Sequence, residues 1–216
     1  MLFARYLLLS LLATALLPAQ ALVPQAMDLL PDESLKGWTR VSIPPTEGLK
    51  PKVQWSVDKS AKTLLCSGDG QHEWLRSDQT YTDYILEVDF RFAPKGPDAK
   101  YNSGIGIRLS PAAELWTQAQ TGPTGGFLFG VNLLDGAFSR FNLMKDMKEN
   151  RIKPAGEWNH YLIRVEGDKI TLNVNGAVVS EIAGMALRKG SIGFEGEGHE
   201  IAFRNIKLTP LPATLP

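Results

Sequence analysis

The sequence predicts an all-β fold: a sandwich or barrel of antiparallel strands in a single domain. Three observations carry that reading. Past the first residues, no long stretch has the apolar period of a helix. Short apolar or alternating runs follow one another instead, at 53–58, 62–67, 73–78, 83–92, 103–109, 114–120, 126–133 and 137–143, then at 158–166, 169–174, 176–181, 190–195 and 199–208. Polar turns join the runs, and Gly167-Asp168 and Asn175-Gly176 are legible in series; the second suits a type I′ hairpin because both residues tolerate positive φ. No sequence period recurs, which argues against a propeller.

Taken in order, residues 1–21 read as a secretory signal peptide. Arg5 is their only charge, an apolar run spans Tyr6 to Leu17, and Ala19-Gln20-Ala21 is a small-x-small cleavage site. The apolar run is shorter than the ~20 residues that cross a bilayer. No Cys stands near the cleavage point to carry a lipid. The mature chain is therefore expected to be secreted or periplasmic, without a membrane span. The domain is expected over 22–211, with 212–216 as a C-terminal tail. Within it, Met27–Lys36 allows a short helical turn. Segment 39–52, with Pro44-Pro45 and Pro51, reads as a surface excursion.

Composition excludes some classes of function. The 216 residues carry 23 basic and 23 acidic side chains, and this balance argues against nucleic acid, which needs a basic excess on one face. Cys66 is alone, so no intramolecular disulfide is available. Within "TLLCSG" it reads as a small apolar residue and not as a nucleophile. There is no G-x-S-x-G elbow, P-loop or dinucleotide fingerprint. His72, His160 and His199 are scattered, with no metal-ligand spacing. No metal or other cofactor is expected. Ca²⁺ is the one ion that the acidic loops "DLLPDE" and "SGDGQHE" would suit, and neither matches the calcium-loop pattern.

Strand alternation gathers polar side chains on one face. Trp74, Arg76 and Asp78 share parity, as do Asn102, Gly104, Gly106 and Arg108, then Trp116, Gln118 and Gln120, and finally Glu195, Glu197 and His199. Glycine inside a strand costs stability unless something approaches the backbone closely, so Gly104 and Gly106 are read as a floor for a ligand. The expected site is a concave face lined by Arg76, Asn102, Arg108, Trp116, Gln118, Glu195 and Glu197, with loops 94–101 and 121–126 as its rim. Carboxylates beside Arg, Gln and Trp suit a sugar: the indole stacks on C–H groups while guanidinium and amides bond hydroxyls. Glu197 and His199 are candidates for proton transfer. Taken alone, an Arg–Glu pair on an open sheet face reads as a solvated cross-strand pair.

Several segments together resemble a known family. In order they are "LKGW", "WSVD" with "LLCSG", "WLRSDQTYTDYILEVDFRF", "NSGIGIR", "KPAGEWNHYLIRVEGDKITLNVNGAVV" and "GSIGFEGEGHEIAFRNIKLTPL", over roughly Leu29 to Leu211. They are similar to secreted bacterial 3-keto-disaccharide hydrolase domains, also described as 3-keto-glucoside 1,2-lyase/3-keto-2-hydroxy-glucal hydratase domains. The resemblance implies a concanavalin A-like jelly-roll sandwich of two antiparallel sheets. It also implies a substrate oxidised to a ketone at C3 by a separate sugar 3-dehydrogenase. A base takes the acidified C2 proton, the glycosidic oxygen leaves C1, and water adds to the product. On that chemistry Glu197 is the candidate base or acid, His199 the second, and Arg108 the anchor for an enolate or hydroxyl. Arg76, Asn102, Trp116, Gln118 and Glu195 would contact the sugar. Two family positions differ here: Gln118 is kept, but Trp116 stands where a Glu is usual, and Gly126 where another acidic residue is usual. An enzyme cleaving 3-keto-glycosides is the first reading. A non-catalytic carbohydrate-binding sandwich with Trp116 as stacking platform is the second, and a protein-interaction module of the envelope the third.

Overall fold

A computed structural model describes residues 25–96, 98–134 and 136–212. The expected signal peptide (1–21), and all but the first residue of the expected tail (212–216), lie outside the described residues. Every strand pair is antiparallel, and the strands form two sheets. The first sheet has eight strands: β1 (Met27–Asp28), β3 (Trp55–Asp58), β4 (Thr63–Cys66), β6 (Tyr84–Phe92), β11 (Asn159–Glu166), β12 (Lys169–Val174), β13 (Ala177–Ile182) and β15 (Ile201–Pro210). They run in the order β13-β12-β11-β6-β15-β4-β3, with β1 also paired to β15. The second has seven: β2 (Trp38–Ser42), β5 (Glu73–Tyr81), β7 (Ser103–Leu109), β8 (Trp116–Thr121), β9 (Leu128–Leu134), β10 (Ala137–Asn142) and β14 (Gly190–Gly196). Their order is β10-β9-β8-β7-β14-β5-β2. This is the expected two-sheet jelly-roll sandwich. Among the described residues, no helix is long and apolar enough to cross a membrane.

Alternation makes the core. Leu86, Val88 and Phe90 of β6 and Tyr161, Ile163 and Val165 of β11 point inward from the first sheet. Leu75, Ile105, Ile107 and Phe194 meet them from the second, and all are fully buried. Phe90 meets Tyr161 edge-on at 4.9 Å, and Phe194 lies 4.7 Å from Phe203. Each such side chain contributes roughly 1.5–3 kcal/mol by leaving water. Cys66 belongs to this core; burial pushes its thiol up to about 12, so it stays neutral and unreactive.

Three local expectations are corrected. Met27–Lys36 holds no helical turn: β1 is followed by a turn in which Asp32 Oδ1 accepts from the backbone N–H of Ser34 (2.9 Å) and Lys36 (3.2 Å). The side chain has replaced the helical partner. Residues 39–42 are not an excursion but strand β2, paired to β5 with Thr39 opposite Arg76; the surface segment begins only at the prolines. The third correction concerns Arg108. Gly106 faces Gly193 but Leu109 faces Ser191, so β7 uses one residue more than β14 over this stretch. Arg108 sits in this bulge with φ +48°, and the strand beyond changes face.

Candidate functional site

The outer face of the second sheet is unevenly covered. Every residue of β7 and β14 is buried, whereas β10 at the far edge is mostly exposed. A small apolar cluster of Trp74, Leu109 and Ala113, with Val41, Ile43 and Trp116 against it, covers part of this face. Beside it opens a cavity of about 460 Å³, into which His72, Asn102, Gln118, Gln120, Glu195 and Glu197 project.

The glycines explain how this face is built, and not as a bare floor. A Cβ on Gly104 would lie 2.0 Å from Gln118 Nε2, and one on Gly193 would lie 2.6 Å from Leu109 Cδ1. These strand glycines let the Gln118 and Leu109 side chains lie flat across the sheet. Gln118 Nε2 thereby reaches Glu195 Oε2 at 2.6 Å and Gln120 Oε1 at 3.0 Å. Gln120 donates to Asn102, and Asn102 donates to Glu197. His72 closes the circuit, with Nε2 at 2.7 Å from Glu195 Oε1 and 3.6 Å from Glu197 Oε2. Six side chains from four segments form a ring of polar contacts in which each amide has a fixed orientation.

Its electrostatics follow from two carboxylates sharing one imidazole. Burial, then the charge of Glu195, raises the Glu197 carboxyl above its ordinary value, against the opposing pull of His72 and Asn102. Burial alone pulls the His72 imidazole down. The hydrogen bond and charge of Glu195, joined by the charge of Glu197, outweigh it and hold His72 above its usual value. One group is held toward its protonated form as a carboxylic acid, the other as a cation. Proton transfer needs groups whose proton affinities are shifted in this way. The ligand atoms of His72, Glu195 and Glu197 also lie within 4.8 Å of one another, and one imidazole with two carboxylates suits a divalent cation.

Of the sequence-predicted residues, Asn102, Trp116, Gln118, Glu195 and Glu197 line this cavity. Trp116 meets Phe129 edge-on at 5.1 Å and forms part of the wall. Arg108 does not line it. The bulge turns its guanidinium into the end of the sandwich, 1% exposed, where it donates to Asp83 Oδ1 (2.9 Å) and to the carbonyls of Thr82 (2.7 Å), Gly167 (2.7 Å) and Leu187 (3.2 Å). It is a structural group. Arg76 is also outside the lining and donates to the Pro111 carbonyl, tying down the loop before β8. The His199 ring packs on Tyr101 at 5.3 Å and on Phe92 at 6.5 Å and does not line the cavity, although its charge adds to the downward pull on Glu197. The rim is Ile43–Pro45 and Ala113–Glu114; residues of 94–101 and 121–126 line a separate apolar cleft with Phe92 and Pro154.

His72 was not among the expected residues, although it shares strand parity with Trp74 and Arg76. Extending that alternation two residues back across the strand start would have found it. Arg140 was missed because β10 carries no other polar signal on that face except Asn142.

The fold is shared with carbohydrate-related proteins. A Parabacteroides distasonis protein whose name assigns it to the glycosyl hydrolases superposes with a TM-score of 0.60 at 19% identity, over 87% of this chain and 100% of that one. The carbohydrate-binding module CBM66 from Bacillus subtilis gives 0.56 at 16% identity, over 80% and 95%. A Bacillus licheniformis beta-glucanase gives 0.50 at 14%, over 82% and 94%. No curated protein matches the sequence. The model of the 3-keto-alpha-glucoside-1,2-lyase-like domain matches residues 25–209, and the chain belongs to that family.

Proposed function

We propose that the protein cleaves 3-keto-glycosides by elimination, with Glu197 as base and His72 as the cationic partner of the developing enolate. The observation that carries this reading is the ring in which Glu197 and His72 face one cavity with their proton affinities raised. Glu197 removes the proton from C2, and the C–H electron pair forms an enolate whose negative charge resides on the C3 oxygen. The His72 imidazolium donates to that oxygen. As the enolate collapses, C3=O re-forms, a C1=C2 double bond forms, and the C1–O bond breaks. The proton held by Glu197 passes to the leaving oxygen. Water then adds to C1 while C2 regains a proton. Arg108 has no part in this, so His72 takes the role expected of it.

The ketone is already present in such a substrate, so the step needs no redox cofactor here. A separate sugar 3-dehydrogenase would supply it, and the leader-like residues 1–21 support an exported protein meeting sugars outside the cytoplasm. The alternative, a module that only binds carbohydrate, is favoured by Trp116, whose indole occupies the usual Glu position beside Phe129.

The test is to incubate the protein with 3-keto-glucosides and 3-keto-disaccharides and follow release of the leaving group. Turnover should fall by about 10²–10⁴-fold in Glu197→Gln. Wild type without turnover, with activity appearing in Trp116→Glu, would establish the binding module instead. Turnover lost on chelation and restored only by Mn²⁺ or Zn²⁺ would assign the His72–Glu195–Glu197 group to a cation, not to proton transfer.

A further inference from the structure

The cavity has a second end. Arg140 of β10 lines it, yet among the described residues its guanidinium makes no ion pair or hydrogen bond. The other charges lining the cavity are engaged: Glu195 with His72 and Gln118, Glu197 with Asn102, and Glu114 with the Ser110 hydroxyl at 3.2 Å. Arg140 stands opposite Val131, and Val131 opposite Trp116, so the three side chains form one row across β10, β9 and β8. Phe129 lies on the same face and meets Trp116. Between the proton-transfer ring and the free guanidinium there is thus an apolar and aromatic floor.

The distance is larger than one sugar. From β14, which carries Glu195, to β10 there are four strand spacings, about 19 Å at the backbone before the long side chains reach inward. One pyranose over Glu197 leaves the floor of Phe129 and Val131 to the unit attached through its glycosidic oxygen. That unit meets a guanidinium with no carboxylate to neutralise it. Arginine in this state prefers a planar anion, which it holds by two parallel charge-assisted hydrogen bonds.

We propose that Arg140 is the specificity residue at the leaving-group end of the cavity, and that the preferred substrates are disaccharides whose leaving unit carries a carboxylate. The assignment of units to the two ends rests on the elimination reading. The carboxylate lies against Arg140 in both ground and transition state, so its contribution appears in KM and not in kcat.

The experiment compares two substrates with the full chain: 3-keto-cellobiose, and its counterpart in which C6 of the leaving glucose is a carboxylate. Wild type should favour the acidic substrate by about tenfold in kcat/KM at low ionic strength, through KM, and the preference should shrink as salt is added. Arg140→Gln should bring the ratio close to one, and Arg140→Lys should recover part of it. A ratio near one in wild type, or a preference that survives Arg140→Gln, overturns the proposal. Calorimetric binding of unoxidised cellobiose and of cellobiose with a C6 carboxylate separates this from the chemistry. Selective, Arg140-dependent binding of the acid without turnover of either keto substrate would sustain the anion subsite and remove the elimination. Turnover with no acid preference would do the reverse.

Discussion

Two histidine–carboxylate pairs of nearly equal length lie on opposite sides of the sandwich. On the outer face of the first sheet, His160 Nδ1 is 2.8 Å from Asp89 Oδ1; on the second, His72 Nε2 is 2.7 Å from Glu195 Oε1. Their third partners differ. Asp89 Oδ2 also accepts from Arg204 Nε (3.3 Å) and Asn205 Nδ2 (2.7 Å), and Arg204 itself lies over the Trp158 ring at 3.8 Å with Arg91 at 4.5 Å. Arg204 and Asn205 hold the second oxygen of that carboxylate, and the pair is a surface clasp. Around Glu195 stand a second carboxylate and neutral amides, inside a cavity. His160 also has a second carboxylate, with Nε2 at 4.0 Å from Glu87 Oε1, so neither a short His–carboxylate contact nor a second carboxylate marks a site. What sets His72 apart is the cavity and the ring of amides around its carboxylates.

The largest effect should come from exchanging each imidazole for an amide. His72→Gln should lower kcat on a 3-keto-glucoside by about 10²–10³-fold, the usual cost of losing one donor to a developing oxyanion. His160→Gln should leave kcat unchanged. Equal losses in both variants would mean that the two pairs are alike and that neither is catalytic.

A smaller effect should follow when the ring is loosened without touching a charge. Gly104→Ala places a methyl where Gln118 now lies, so the amide must leave Glu195. The His72 pair would then lose its fixed orientation. We expect kcat/KM to fall about tenfold and urea unfolding to show a loss of about 1–3 kcal/mol from overpacking. Adding Gln118→Ala should change kcat/KM little further, since both substitutions break the same contact. Full additivity of the two losses would show that Gly104 acts through something other than Gln118.

These comparisons also show what the sequence could reveal. Alternation located every long strand, because a buried face leaves a period-two trace in Leu86-Glu87-Val88-Asp89-Phe90 that no turn chemistry can mimic. It also put Asn102, Gln118, Glu195 and Glu197 on one face. Parity failed at Arg108, because one residue inserted into β7 is invisible in a pattern that reads only polar and apolar. The glycines misled in a related way. An absent Cβ signals a close approach but not by what, and here Gln118 and Leu109 are the visitors. Contact with residues far along the chain, such as His72 with Glu195, lies beyond any local period.

The smallest effect, and the finest test of the contrast, is in pH. Glu197 must be ionised to take a proton, and its raised carboxyl places the acid limb of kcat/KM above the ordinary carboxylate range. His72 must be protonated to serve the enolate, so the alkaline limb follows its raised imidazole. In chelator-treated protein His72→Gln should remove the alkaline limb and leave the acid one. Stability carries the same signature with a definite sign. A folded-state affinity above the unfolded one means that the native protein binds more protons, so stability falls as pH rises. The His72–Glu195 contact is fully present below the unfolded imidazole value of about 6.5 and is lost as pH climbs through the raised folded one. The side chain of His72 is 36% exposed, which limits the gain to about 1 kcal/mol. Thermal unfolding of wild type and His72→Gln should therefore differ most near pH 5–6 and converge at alkaline pH. A gap that widened with pH would mean that His72 is stabilised as the neutral imidazole, and that the enolate has lost its cation.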